Sequence, residues 1–284
     1  MQLGQYGVAD FYLDNRGVVE RDESVATDTT FTILGVAITA TSLDRAARTL
    51  EGWAGDKLGR FVCIRDTPSL VHAQDDAGFK ALHSEAAMVT PDGAPLALIG
   101  WLRGHDVRRT CGPDLFDLMM SRSAQNGLKH YFYGGKDGVA ETLRRRMETK
   151  YPGVRIVGTE CPPFRQPTQE EERETIDRIV ASGADIVWVG LSSPKQEFWM
   201  ARNRDKLPAT LIGVGAAFDF HSGEVARAPR WMQKSMLEWL HRLCTEPRRL
   251  WRRYLILAPR FVILAGLETL LAARLWRRRR TTAS

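Results

Sequence analysis

KHYFYGGKDGVAETLRRRMETKYPGVRIV (Lys129–Val157) contains a complete strand–helix–strand unit. An aromatic and apolar run, Lys129–Tyr133, stops at the pair Gly134-Gly135. A helical pattern then covers Asp137–Tyr151, and a second apolar run, Val154–Val157, closes the unit. Two strands joined through a helix lie parallel, because the crossover returns the chain to the edge it started from. The same alternation extends in both directions. Strand-like runs occur at Thr30–Ile38, Arg60–Ile64, Asp185–Gly190 and Thr210–Val214, with helix-length segments at Ser42–Trp53, Pro113–Asn126, Gln169–Ser182 and Pro194–Arg204. The chain is therefore expected to be α/β, a Rossmann-like parallel sheet flanked by helices. Residues 1–29 are polar and aperiodic and read as a loose N-terminal extension. Residues 30–226 carry the alternation, and from 227 to 284 the pattern turns helical and rich in Arg and Trp.

At 284 residues with 44% hydrophobic and 26% charged side chains, the composition is globular rather than disordered or fibrous. No apolar run approaches the roughly 20 residues of a bilayer span, which argues against a polytopic membrane protein. The four cysteines stand about fifty or more residues apart, a spacing that suits neither a zinc knuckle nor a small disulfide framework, so a reducing cytoplasm is expected. The net charge of +6 is unevenly placed: from Arg227 onward there are 14 Lys and Arg against three acids, whereas the first 226 residues carry 26 against 31. An acidic body with an arginine-rich tail points to a polyanionic partner for the tail: phosphate, anionic lipid or nucleic acid. On a helical wheel, Pro259–Arg278 shows Arg260, Glu268, Arg274 and Arg278 within one narrow stripe on an otherwise apolar surface. Such a helix fits the headgroup layer of a membrane, with Trp276 and the terminal arginines at its rim, or equally a helix packed on the body or in a dimer interface.

Five stretches can carry chemistry. Gly134-Gly135, between strand and helix, lets a phosphate approach backbone N–H groups, although the spacing is not GxGxxG and a structural turn serves as well. In DIVWVGLSSPKQE (Asp185–Glu197), Ser193 can cap a helix whose first turn presents Lys195, Gln196 and Glu197 at the carboxyl edge of the sheet, where open α/β folds bind ligands. TPDG (Thr90–Gly93) places Asp92 at a strand-to-helix junction, where a carboxylate can act as a general base or simply form a turn. IGVGAAFDFHSG (Ile212–Gly223) ends a strand in small residues followed by Asp219 and His221, with Arg227 and Arg230 placed to face the same opening. His221 has no second His or Cys at a useful offset and reads as a structural histidine. In HRLCTEPRRLWRRY (His241–Tyr254), Arg242, Arg249 and Arg252 fall near one helical face if Pro247 does not displace them, and together can hold a diphosphate. The chain has no DxD pair for a divalent cation; no metal site and no cofactor is expected.

Taken together, PDG, GGKDGVAETL, VGLSSPKQE, VGAAFDFHSGEVARAPRW and LEWLHRLCTEPRRLWRRY resemble the WecG/TagA/CpsF glycosyltransferases, glycosyltransferase family 26, in unbroken order from about Thr30 to about Tyr254. The resemblance implies an inverting, metal-independent transfer of a hexosamine or hexose from a UDP-sugar. The acceptor would be a saccharide linked through diphosphate to undecaprenol, at the cytoplasmic membrane face, in the assembly of a bacterial surface polysaccharide. It implies Asp92 as base, Gln196 in the nucleotide-sugar pocket, Arg109 beside the site, and Arg242, Arg249 and Arg252 closing over the diphosphate. The family's T-x-N element falls on Ile64 and Asp66, so Asp66 and Thr67 either substitute or mark a different donor sugar. The expected partners are the UDP-sugar, the lipid-linked acceptor, an anionic membrane surface and conceivably a second copy of the chain, with no nucleic acid. A nucleotide-dependent oxidoreductase on the same sheet and a non-catalytic polyanion-binding adaptor are the alternatives.

Overall fold

The computed structural model describes residues 29–281 apart from Met236, with the side chains of Arg230, Lys234 and 272–281 left aside; the N-terminal extension expected over 1–29 lies, but for Thr29, outside the described residues. Eight strands and thirteen α-helices follow in order: β1 Thr30–Ile33, β2 Val36–Thr39, α1 Leu43–Trp53, β3 Arg60–Arg65, α2 Thr67–Asp75, α3 Ala77–Glu85, β4 Met88–Pro91, α4 Ala94–Leu102, α5 Gly112–Asn126, β5 Lys129–Gly134, α6 Val139–Lys150, β6 Arg155–Glu160, α7 Gln169–Ser182, β7 Ile186–Gly190, α8 Lys195–Asn203, β8 Thr210–Gly213, α9 Ala217–Ser222, α10 Arg230–Lys234, α11 Glu238–Thr245, α12 Pro247–Arg252 and α13 Ala258–Thr281. A π-helical turn, Arg253–Leu257, joins α12 to α13.

Six strands form one parallel sheet in the order β4-β3-β8-β7-β5-β6. The strands read as continuous apolar runs because helices cover both faces: IVWV of β7 is buried throughout. One face carries α2, α3, α7, α8 and the β1–β2 hairpin around Phe61, Leu70, Phe79 and Leu211. The other carries α1, α5, α6 and α9 around Phe116, Phe132, Trp188 and Phe218. Trp188 Nε1 donates to His130 Nδ1 at 3.0 Å inside the second layer, and burial pushes His130 down to about 3, so the ring stays neutral and can accept. Helix starts follow local chemistry. Ser42 caps α1, and Thr168 with Glu171 forms a reciprocal capping box on α7.

The structure departs from the sequence expectations in four places. Thr30–Ile38 is not one strand but two, because Leu34 (φ 51°) and Gly35 (φ 75°) turn the chain into an antiparallel hairpin outside the main sheet. Ser193 does not cap α8; its Oγ lies 3.5 Å from Arg65 Nη1, and the Ser193–Pro194 peptide is cis. Although the text shows no apolar run near 20 residues, the chain winds Pro247–Leu271 into a helical segment whose most apolar 18 residues have a mean hydropathy of 1.7, long and apolar enough by length and composition to cross a membrane, since Pro259, Arg260 and Glu268 interrupt the text but not the helix.

The charged stripe of α13 also points the other way. Arg260 bonds Asp75 through both Nη1 and Nη2 at 2.6 Å, and Glu268 accepts from the Leu34 N–H at 3.0 Å and faces Arg103, so the stripe grips the body. Phe261 and Ala265 are buried beside it, while Val262 (68% exposed), Ile263, Leu267, Leu270 and Leu271 point outward. The side chains of Arg274, Trp276 and Arg278 lie outside the described residues.

Candidate active site

Asp92 follows the last residue of β4 and is fixed by its backbone: its N–H and that of Gly93 donate to Arg65 O at the end of β3, at 2.7 and 3.4 Å. Two strand-end loops are thereby stitched together, with Asp66 and Thr67 on one and Asp92 and Gly93 on the other. Asp66 is the N-cap of α2: its Oδ1 accepts from Ser69 N–H at 3.1 Å and Ser69 Oγ–H at 2.6 Å, and its other oxygen is bonded by Arg253 Nη2. Burial alone would raise Asp66, but the Arg253 guanidinium and the Ser69 donors outweigh it and hold the carboxyl below its ordinary value. Thr67 is the first residue of α2 and turns its backbone toward Gly93.

Asp92 has the opposite environment. Burial pushes its carboxyl up to about 6; the Arg109 cation opposes the rise, the anions of Asp66 and Glu238 add to it, and Arg253 opposes it again. The side chain keeps 34% of its surface open, which tempers that rise and leaves the carboxylate reachable. Arg109 lies alongside, its Nε donating to Asp92 O at 2.7 Å and its Nη2 to Glu238 Oε2 at 3.0 Å. A carboxyl titrating near 6 on the carboxyl edge of a parallel sheet is poised for proton transfer near neutrality.

The second half of the site is a cleft of about 1510 Å³ at the ends of β5, β7 and β8, bordered by Tyr133, Gly135, Lys136, Lys195, Asp219 and Arg249. Gly134 and Gly190 shape its floor. At Gly134 (φ 134°) a Cβ would stand 2.6 Å from the Gly190 backbone, and at Gly190 one would meet the Phe218 ring at 2.8 Å. Three strand spacings separate the ends of β4 and β7, so the cleft floor and Asp92 are roughly 14 Å apart. Asp219 is half-buried and raised by burial, with Arg249 and Lys136 opposing the rise.

The other residues singled out in the sequence fall as follows. Gln196 is 4% exposed and spans two elements: Nε2 donates to Glu197 Oε1 at 2.7 Å and Oε1 accepts from Gly215 N–H at 3.1 Å, so it fixes the cleft wall from inside. Arg242, Arg249 and Arg252 do not share a face, because the chain leaves helical geometry at Glu246 and Pro247 begins a new helix. Arg242 stacks over Phe220 at 5.3 Å, Arg249 borders the cleft and pairs with Glu246 at 2.6 Å, and Arg252 lies over Trp251 on the outside. Arg253, one residue further, is the one that enters the Asp92 corner. His221 is structural: its Nε2 bonds Pro113 O at 2.9 Å. Arg227 turns to Asp114 and Glu238, and the Arg230 side chain lies outside the described residues.

Sequence reasoning missed Arg65, Glu238 and Arg253, and placed Glu197 on the first turn of α8 without giving it a partner. Arg65 (1% exposed) and Glu197 (0%) form a buried pair at 2.6 Å beneath both loops, with the Arg65 guanidinium 5.4 Å above the Phe79 ring. An arginine at the end of an otherwise apolar strand was the available signal, since a buried charge needs a partner. Glu238 and Arg253 gave none, their partners being 129 and 187 residues away. Among the described residues no three His, Cys, Asp or Glu side chains gather as a metal site, and all four cysteines are free thiols.

A six-stranded parallel sheet with a glycine-floored cleft and a raised carboxyl on its carboxyl edge places the candidate site where open α/β folds bind their ligands. The chain belongs to the glycosyl transferase WecG/TagA/CpsF family, whose profile matches residues 31–280. It is similar to the N-acetylglucosaminyldiphosphoundecaprenol N-acetyl-beta-D-mannosaminyltransferase of Bacillus spizizenii strain W23, with 34% identity over 207 residues that span 72% of this chain and 77% of the relative. It is thus a glycosyltransferase, and neither the oxidoreductase nor the adaptor alternative finds support.

Proposed function

We propose that the protein transfers a hexose or hexosamine from a UDP-sugar to a saccharide carried on undecaprenyl diphosphate, with inversion and without a metal, at the inner face of the cytoplasmic membrane. The observation that carries this reading is the environment of Asp92: a carboxyl raised to about 6, one-third open, at the end of β4 on the same carboxyl edge as the cleft. The nucleotide occupies the cleft between Gly135, Lys195 and Asp219, and the sugar extends along the ends of β8 and β3 toward Asp92. Lys136, Lys195 and Arg249 bring positive charge to the diphosphate. Asp92 accepts the proton of the acceptor hydroxyl as its oxygen attacks the anomeric carbon from the face opposite the departing UDP. A positioned base contributes roughly 10²–10⁴-fold. Arg109, 3.6 Å from Asp92 Oδ1, partly balances the charge that Asp92 carries before transfer, while Arg253 is paired with Asp66.

The segment from 227 onward forms an appendage that keeps the enzyme at its lipid-borne acceptor. The support is the outward face of α13, continued by Leu255 and Ile256 and by Trp239 and Trp251, a surface apolar enough to enter a monolayer. The relative's acceptor, named in its title as a diphosphoundecaprenol, has the matching chemistry. The test is a panel of UDP-sugars assayed with a short-chain lipid-diphosphate-sugar acceptor in the presence of EDTA. Transfer that persists with chelator and yields the inverted anomer is expected. No transfer from any UDP-sugar would discard the donor assignment, and activity restored only by a divalent ion would discard the metal-free step.

A further inference from the structure

The charges around Asp92 form a line that crosses from the body into the C-terminal segment. Arg109 Nη2 donates to Glu238 Oε2 at 3.0 Å and stands 3.6 Å from Asp92 Oδ1. Arg227 Nε donates to the other Glu238 oxygen at 3.0 Å, and its Nη1 to Asp114 Oδ1 at 2.5 Å. Asp92, Arg109 and Asp114 belong to the sheet body, whereas Arg227 and Glu238 follow the last strand. Glu238 begins α11, is 13% exposed, and has each carboxylate oxygen held by a different guanidinium.

Arg109 Nε is already fixed on the Asp92 carbonyl, so the open matter is which carboxylate receives Nη2. Asp92 and Glu238 compete for it, and the geometry gives it to Glu238. A carboxylate bonded directly by a guanidinium is a weaker base and has a lone pair occupied. The remaining groups facing Asp92 do not upset this balance. Asp66, from the β3–α2 loop, and Arg253, from the π-turn, neutralise each other. The Cys111 thiol and the Tyr254 hydroxyl are both pushed up by burial and stay protonated near neutral pH.

We propose that Glu238 is a positioning residue that holds Arg109 off the Asp92 carboxylate, leaving Asp92 free to take the acceptor proton. The inference rests on Asp92 being the base. It adds that, without the Glu238 carboxylate, Arg109 closes on Asp92 and weakens the proton acceptor.

The test compares kcat/KM against pH for the full-length wild type, Glu238→Gln, Glu238→Asp and Asp92→Asn. Losing the Glu238 charge should move the rising limb about one pH unit lower and reduce the plateau roughly tenfold, because a weaker base ionises earlier and accepts a proton less readily. Glu238→Asp, which keeps the charge, should keep the limb in its wild-type position. An unmoved limb in Glu238→Gln, or equal shifts in both Glu238 variants, would overturn the proposal. An inactive Asp92→Asn beside an unmoved Glu238→Gln limb retains the base and discards Glu238; an active Asp92→Asn discards both. Should Glu238→Gln fail to fold, Arg227→Gln serves instead. It leaves the Glu238 charge undivided beside Arg109, so the limb should move upward, and a downward or absent shift would overturn the proposal.

Discussion

The two ends of the sheet's carboxyl edge are built on opposite plans. At β3 and β4 the corner is dense with charge: Arg109 pairs with Glu238 and Asp92, and beside them Arg253 pairs with Asp66. At β5 and β7 the backbone itself is the surface, because Gly134 and Gly190 approach too closely for any side chain. The contrast separates the tasks. On the proposed reading, the charged corner tunes one proton acceptor, whereas the glycine floor leaves room for a bulky ligand whose charge is met by Lys136, Lys195 and Arg249. If that division is right, substitutions at the two ends should fail in different ways.

The largest effect is expected from Asp92→Asn. Transfer should fall by roughly 10²–10⁴-fold with UDP affinity retained, which kinetics and calorimetry on one preparation would separate. Turnover within a few-fold of wild type would erase the contrast. In the wild type, kcat/KM should rise with pH through about 6, since Asp92 must be ionised to act. Its stability contribution has the reverse sign. A carboxyl raised in the folded state binds more protons there than in the unfolded chain, so it costs stability as pH climbs from about 4 through about 6. Asp92→Asn should therefore melt above the wild type at neutral pH and level with it near pH 4, by differential scanning calorimetry.

At the other end, Gly134→Ala should lower folding stability by roughly 2–4 kcal/mol, because the new Cβ meets the Gly190 backbone at an unfavourable φ. A variant that melts like the wild type would show that the floor yields. Smaller again is the effect expected on the outward face of α13. Replacing Val262 and Leu267 by Asp should release the protein from anionic vesicles in sedimentation while sparing its melting temperature, since both side chains are exposed. Loss of fold instead would mean that the face packs on protein. Least of all, Arg260→Ala should barely move the melting temperature, since it removes a solvent-screened pair whose partners are 42% and 51% exposed.

Periodicity alone determined that this chain is a parallel α/β sheet, that Asp92 and the Gly134-Gly135 turn lie at strand ends, and that the last third is helical and arginine-rich. Those properties repeat every two or every 3.6 residues, so a short window contains them. Tertiary structure decided which arginine reaches Asp92, why Gln196 is a wall rather than an open contact, and which side of α13 faces outward. Arg252 and Arg253 are adjacent in the chain, but a helix turns about 100° per residue, so one lies over Trp251 outside and the other bonds Asp66 within. The stripe of α13 was visible as a stripe, yet its direction depended on Asp75 and on the Leu34 N–H, groups nearly two hundred or more residues earlier. Contacts across that separation leave no local pattern, because only the fold brings the two groups together.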